Sequence, residues 1–140
     1  MNKFWLRDSK ECEEGNSEAP LISVVDDDVS VRRSTQRLLR SSGLRAEAFA
    51  SADDFLQSGR VAETACLLLD VRMPGMDGLE LQRRLGESER LVPIVFLSAR
   101  ASEEEERRAL RAGAVHFLRK PVSKEALLHA IRAALDCPTI

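Results

Sequence analysis

The sequence predicts an α/β fold built on a parallel sheet, and three observations lead there. Five short apolar runs alternate with five stretches of helical periodicity, the pattern of β–α repeats with right-handed crossovers and helices on both faces. The run Leu67-Leu68-Leu69 is apolar without alternation, which suits a strand buried on both faces. Four of the five runs stop at polar side chains, namely Asp26-Asp27, Asp70, Ser98 and Lys120. Open α/β sheets place their chemistry where the strands end.

Residues 1–20 read as a flexible N-terminal extension, because Lys10 to Pro20 is polar, acidic and aperiodic. Phe4-Trp5-Leu6 is the exception, open to reading as a frayed terminus or as a short apolar hook. The domain proper is expected over 21–136, with 137–140 as a tail. Leu21 to Val25 is a β-branched first strand ending in Asp26-Asp27-Asp28. From Val29 the pattern is helical, with Val31, Thr35, Leu38 and Leu39 on one face and Gly43 as the stop. Leu44 to Phe49 is the second strand, and it ends in nothing reactive. Ser51 or Asp53 can cap a short helix around Phe55-Leu56, ended by Gly59.

Ala65 to Leu69 is the third strand. It halts at Asp70, a turn punctuated by Pro74-Gly75 follows, and Asp77-Gly78 opens a helix running to Leu85. Pro93 to Leu97 is the fourth strand. Ser102 precedes Glu103 to Glu106, so carboxylates fill a first helical turn, and Arg107, Arg108 and Arg111 come later. That order complements the helix dipole and i,i+4 pairing. Val115 to Leu118 is the fifth strand, closed by Arg119-Lys120-Pro121. Ser123 caps a last helix with Leu127, Leu128, Ile131 and Leu135 on its apolar side.

Composition narrows the function. The 140 residues are 44% hydrophobic and 31% charged, which fits one soluble domain. A net charge of -2 argues against a general nucleic-acid binder. No apolar run approaches membrane-spanning length, and Met1 to Lys10 lacks the apolar core of a signal peptide. Cys12, Cys66 and Cys137 are scattered, with neither metal spacing nor a disulfide framework, as expected in a reducing cytoplasm. Cys66 is most simply a core residue.

The polar strand ends suggest one chemistry. Carboxylates about 5 Å apart at an effective dielectric of about 20 repel by on the order of 3 kcal/mol per pair. A divalent cation relieves this, and oxygen ligands on a solvent-facing edge favour Mg²⁺. Such a cation can bind a phosphoryl oxygen while Asp70 acts as nucleophile and forms an acyl phosphate. Lys120 is a mobile charge able to pair with Asp70 or its phosphate, and Ser98 can donate a hydroxyl to a phosphoryl oxygen.

This set resembles the receiver domain of two-component response regulators. The matching residues are Val24 to Asp28, Leu69 to Gly78, Ser98-Ala99 and Phe117 to Pro121, in order over about residues 21–136. The resemblance implies a flavodoxin-like, doubly wound sheet of five parallel strands in the order 2-1-3-4-5. It implies that Asp70 takes phosphate from the phosphohistidine of a sensor histidine kinase, with Lys120 and Ser98 completing the catalytic set. It implies Mg²⁺ held by Asp27, Asp70 and the backbone carbonyl of Arg72, with Asp26 helping through water. Ser98 and Phe117 become the switch pair, the Lys120–Pro121 bond is expected to be cis, and the fourth helix, fifth strand and fifth helix become an output or homodimer face. The domain itself is expected to touch neither nucleic acid nor membrane. The phrase Ala112 to Pro121 looks most like receivers of the FixJ type, which usually precede a helix-turn-helix domain.

Departures from the family pattern are specific. Ser98 stands where many relatives have Thr, and Phe117 where Tyr is also common. Arg72 and Arg100 flank the pocket, two residues after Asp70 and Ser98, and are expected to pair with phosphate or obstruct attacking water. Simpler roles fit other residues: Asp28 and Asp77 as helix caps, His116 and His129 as ordinary residues, Glu103 to Glu106 as a solvated face. A cap role for Ser98 also stays open. Three functions compete: a phosphoacceptor switch, a Mg²⁺-dependent phosphohydrolase, and an unphosphorylated interaction module. The phosphohydrolase would commonly carry a second acid where Arg72 stands, and the interaction module would be expected to lack one of the acids or the lysine.

Overall fold

The computed structural model describes residues 19–89 and 91–136. Expectations for 1–18 and 137–140, the Phe4-Trp5-Leu6 hook included, lie outside the described residues. The strands are β1 (Leu21–Val25), β2 (Arg45–Phe49), β3 (Thr64–Leu69), β4 (Ile94–Ser98) and β5 (His116–Arg119). The helices are α1 (Val29–Ser41), α2 (Ala52–Gln57), α3 (Gly78–Glu87), α4 (Glu103–Arg111) and α5 (Lys124–Asp136). All strands pair in parallel in the order β2-β1-β3-β4-β5, as the resemblance implies. Contacts with the sheet begin ahead of β1: Ala19 is buried, and Pro20 O accepts from Arg45 N–H at 3.2 Å.

Period-two alternation along the central strands divides the core. Leu67 and Leu69, with Val25 and Phe96, pack against Phe55 of α2, Leu81 and Leu85 of α3 and Ala109 of α4. Cys66 and Leu68, with Ile22, Val24 and Val95, pack against Leu39 of α1 and Leu127, Ala130, Ile131 and Ala134 of α5. Three helices thus cover one face and two the other, which is why β3 shows no polar alternation. Each buried leucine on β3 contributes about 2 kcal/mol of burial free energy. With both faces covered, the reactive positions are left at the strand ends.

Caps fix where the helices start. Asp28 Oδ1 accepts from the N–H groups of Ser30 and Val31, and Asp77 Oδ1 accepts from Glu80 N–H. Both act as the caps the sequence suggested. Ser51, not Asp53, caps α2, and Ser123 Oγ accepts from Ala126 N–H at the start of α5. Ser102 and Glu105 form a reciprocal capping box at α4. The Lys120–Pro121 peptide bond is cis.

Candidate functional site

β1 and β3 are neighbours in the sheet, so their ends bring Asp26, Asp27 and Asp70 together. One carboxylate oxygen from each lies within 4.8 Å of the others. Asp26 and Asp70 are buried and Asp27 is exposed, which opens the cluster to solvent on one side. Oxygen-only donors with one open flank suit a small hard divalent cation.

Lys120 arrives from the end of β5. Its Nζ donates to Asp26 Oδ2 at 2.8 Å and to Asp70 Oδ2 at 3.4 Å. The sequence pairs this lysine with Asp70; the structure sets it closer to Asp26. The other oxygen of Asp26 accepts from Asp28 N–H at 2.9 Å, so both Asp26 oxygens are engaged. Burial raises the Asp70 pKa above its ordinary value; the charge of Lys120 opposes this and that of Asp26 adds to it. Burial alone would lower the Lys120 pKa, but the hydrogen bond to Asp26 and the charges of Asp70 and Asp26 leave it raised.

The remaining expected residues sit on the loop after β3 and on β4 and β5. Arg72 N–H lies 3.3 Å from Asp70 Oδ1, placing its backbone at the site. Its side chain turns away, Nη2 donating to Glu105 Oε1 at 2.8 Å in the first turn of α4. Ser98 ends β4 beside β3, fully buried, and its Oγ is met by Arg100 N–H at 3.4 Å. It caps no helix, since Ser102 takes that role. Lys120 N–H donates to Ser98 O at 2.9 Å, which ties the ends of β4 and β5. Phe117 is half-buried and stacks on Phe96 with ring centroids 5.6 Å apart. The His116 and His129 rings meet edge to face with centroids 6.4 Å apart, and neither joins a cluster of metal-ligating side chains among the described residues.

Several supporting residues went unnoticed in the sequence. Arg32 Nη1 donates to Asp26 O at 2.8 Å and steadies the acidic strand end. A signal existed: helical side chains lean toward the N-terminus, and Arg32 sits one turn into α1. Gly78 is another. A Cβ there would lie 2.3 Å from Asp70 O and 3.1 Å from the Phe96 ring, so α3 approaches the site only because this residue has none. Gln82 of α3 donates to Ala109 O at 3.0 Å and braces α4, while Arg119 binds Ala101 O and Glu106.

Known proteins resemble this chain in sequence and in fold. The family model described as the response regulator receiver domain matches residues 22–132. The response regulator protein TmoT of Ectopseudomonas mendocina is 43% identical over 120 residues, covering 86% of this chain and 54% of that protein. The chain spans about half the length of the curated relatives it matches. Among solved structures, the response regulator StyR is 46% identical with a TM-score of 0.78, over 84% of this chain and 59% of that one. The structure of FixJ-N is 30% identical with a TM-score of 0.79, over 86% of this chain and 97% of that one. No described helix is long and apolar enough to cross a membrane. The chain belongs to the receiver domains of the response regulators of two-component systems.

Proposed function

We propose that Asp70 is the phosphoacceptor of a signalling switch and that a sensor histidine kinase supplies the phosphoryl group. The observation that carries this is the gathering of the Asp26, Asp27 and Asp70 carboxylates within 4.8 Å, with Lys120 Nζ against two of them. An Asp70 carboxylate oxygen attacks phosphorus, the phosphorus–nitrogen bond of the phosphohistidine breaks, and the imidazole leaves with the electron pair. Asp27, Asp70 and the backbone carbonyl of Arg72 would hold a magnesium ion, with Asp26 helping through water. Bound there, it supplies neutralisation of the charge on the phosphoryl oxygens.

The chain's own residues do the rest. Lys120 carries positive charge to the new phosphoryl group from its seat between Asp26 and Asp70. Ser98 donates its hydroxyl to a phosphoryl oxygen, and Phe117 responds as the other half of the switch. The change is read on the face of α4, β5 and α5, through a homodimer or an effector that controls transcription, with the domain working in the cytoplasm. The same site returns the phosphoryl group slowly to water, which makes the domain a switch rather than a turnover enzyme.

Intact mass after incubation with acetyl phosphate and Mg²⁺ tests this. One phosphoryl adduct is expected on the wild-type chain, with none when a chelator is present and none on Asp70→Asn. An adduct that persists in both controls would contradict it.

A further inference from the structure

α4 has the least apolar anchorage of the longer helices. Of its nine residues only Ala109 is buried, and Leu110 is 42% exposed. α3 and α5 each bury four residues. Polar contacts therefore do much to set its first turn, and Arg119 is among the residues that make them. Its Nη1 donates to Ala101 O at 2.7 Å, in the loop between Ser98 and α4. Its Nη2 donates to Glu106 Oε1 at 2.7 Å, near the start of α4. Its guanidinium carbon lies 5.4 Å from the centroid of the Phe117 ring, on the residue two before it in β5. One side chain thus touches the loop after Ser98, the helix beyond that loop, and the aromatic ring.

We infer that Arg119 is a positioning residue: it holds the β4–α4 loop and the Phe117 ring in this arrangement, and phosphorylation of Asp70 has to displace it. The inference rests on the phosphoacceptor reading of Asp70. When the Ser98 hydroxyl swings to a phosphoryl oxygen, Ser98 O stays tied to Lys120 N–H, so movement falls on the residues that follow. Ala101 lies among them, and its carbonyl leaves a donor fixed to β5. Turning the Phe117 ring removes the face on which the guanidinium lies. Arginine suits this post because its planar fork serves a carbonyl and a carboxylate at once while its face meets a ring. Contacts made only in this arrangement oppose phosphorylation by the amount they differ between the two states.

An ordinary surface ion pair is the competing explanation; it would add a little stability and leave the reaction rate alone. The initial rate of adduct formation with acetyl phosphate and Mg²⁺ separates the two, measured by intact mass on the full chain alongside Tm. Arg119→Ala is expected to react about three- to tenfold faster than wild type. Arg119→Lys is expected to fall between them, and Glu106→Ala, which removes one contact of the three, to gain less than Arg119→Ala. An unchanged or slower Arg119→Ala, whatever its Tm, overturns the inference; if that variant does not fold, an unchanged Arg119→Lys does so. A wild-type chain that takes no phosphoryl group overturns the phosphoacceptor reading and the inference with it. That outcome is distinct from failure of the inference alone, in which all the proteins react at one rate.

Discussion

Lys120 Nζ sits 2.8 Å from Asp26 Oδ2, and the two side chains are only 17% and 4% exposed. The lysine thus balances the carboxylate of β1 more closely than the one expected to react. Removing it strands a buried anion. Lys120→Met is expected to cost about 2–3 kcal/mol at neutral pH, below the range for a fully buried pair because solvent reaches this one. The Lys120 pKa is raised in the fold, so its contribution is fully present below the ordinary lysine value of about 10.4 and is lost as pH rises through the folded value. Urea unfolding at neutral and strongly alkaline pH checks this: the cost of the substitution shrinks in alkali.

Asp70→Asn is expected to unfold at higher temperature than wild type without divalent cations at neutral pH. Burial lifts the Asp70 pKa, so ionising it works against the fold. What Asp70 contributes is favourable below the ordinary carboxylate range and is lost as pH rises through the folded value. The advantage of asparagine therefore grows with pH across the carboxylate range and vanishes below about pH 3. At neutral pH it is expected to show as a Tm a few degrees above that of the wild type. Added Mg²⁺ stabilises the wild type and narrows the gap.

Gly78→Ala separates local preference from tertiary fit. Alanine within a helix normally gains about 1 kcal/mol over glycine. Here the new methyl would lie 2.3 Å from Asp70 O. A loss of about 2 kcal/mol or more is expected in denaturant unfolding, with slower phosphorylation because Asp70 is displaced. A stabilised variant would contradict the close approach of α3.

The two arginines beside the pocket are expected to differ. The Arg72 guanidinium is held by Glu105 at 2.8 Å, whereas Arg100 has no side-chain partner among the described residues. Arg100 is the one free to meet a phosphoryl group or screen it from water. Arg100→Ala is expected to shorten the life of the aspartyl phosphate more than Arg72→Ala, by about threefold or more. Following loss of the adduct after donor removal checks the order; equal lifetimes in all three proteins would contradict it.

The elements and the acidic cluster were legible because local pattern determines them. Leu67-Leu68-Leu69 announces a doubly covered strand, and Asp28, Asp77, Ser102 and Ser123 announce helix starts. Asp26, Asp27, Asp70, Ser98 and Lys120 could be placed together because parallel strands all deliver their ends to one edge. What stayed hidden depends on distances between residues far apart in the chain. Nothing local tells Lys120 to stand nearer Asp26 than Asp70, or turns Arg72 toward Glu105. Arg119 read only as the residue before the lysine, since its partners Ala101 and Glu106 belong to another repeat. Gly78 looked like the start of a helix, and its constraint appears only once α3 lies against the Asp70 backbone.

The most direct measurement is to locate the phosphorylated residue by borohydride reduction. Reduction converts an aspartyl phosphate to homoserine, and tryptic digestion isolates residues 61–72, in which Asp70 is the only aspartate. Homoserine at position 70, dependent on Mg²⁺ and on the phosphoryl donor, is the expected result. Homoserine at Asp26 or Asp27, or at no position despite a phosphoryl adduct, would contradict the assignment of Asp70 as the phosphoacceptor.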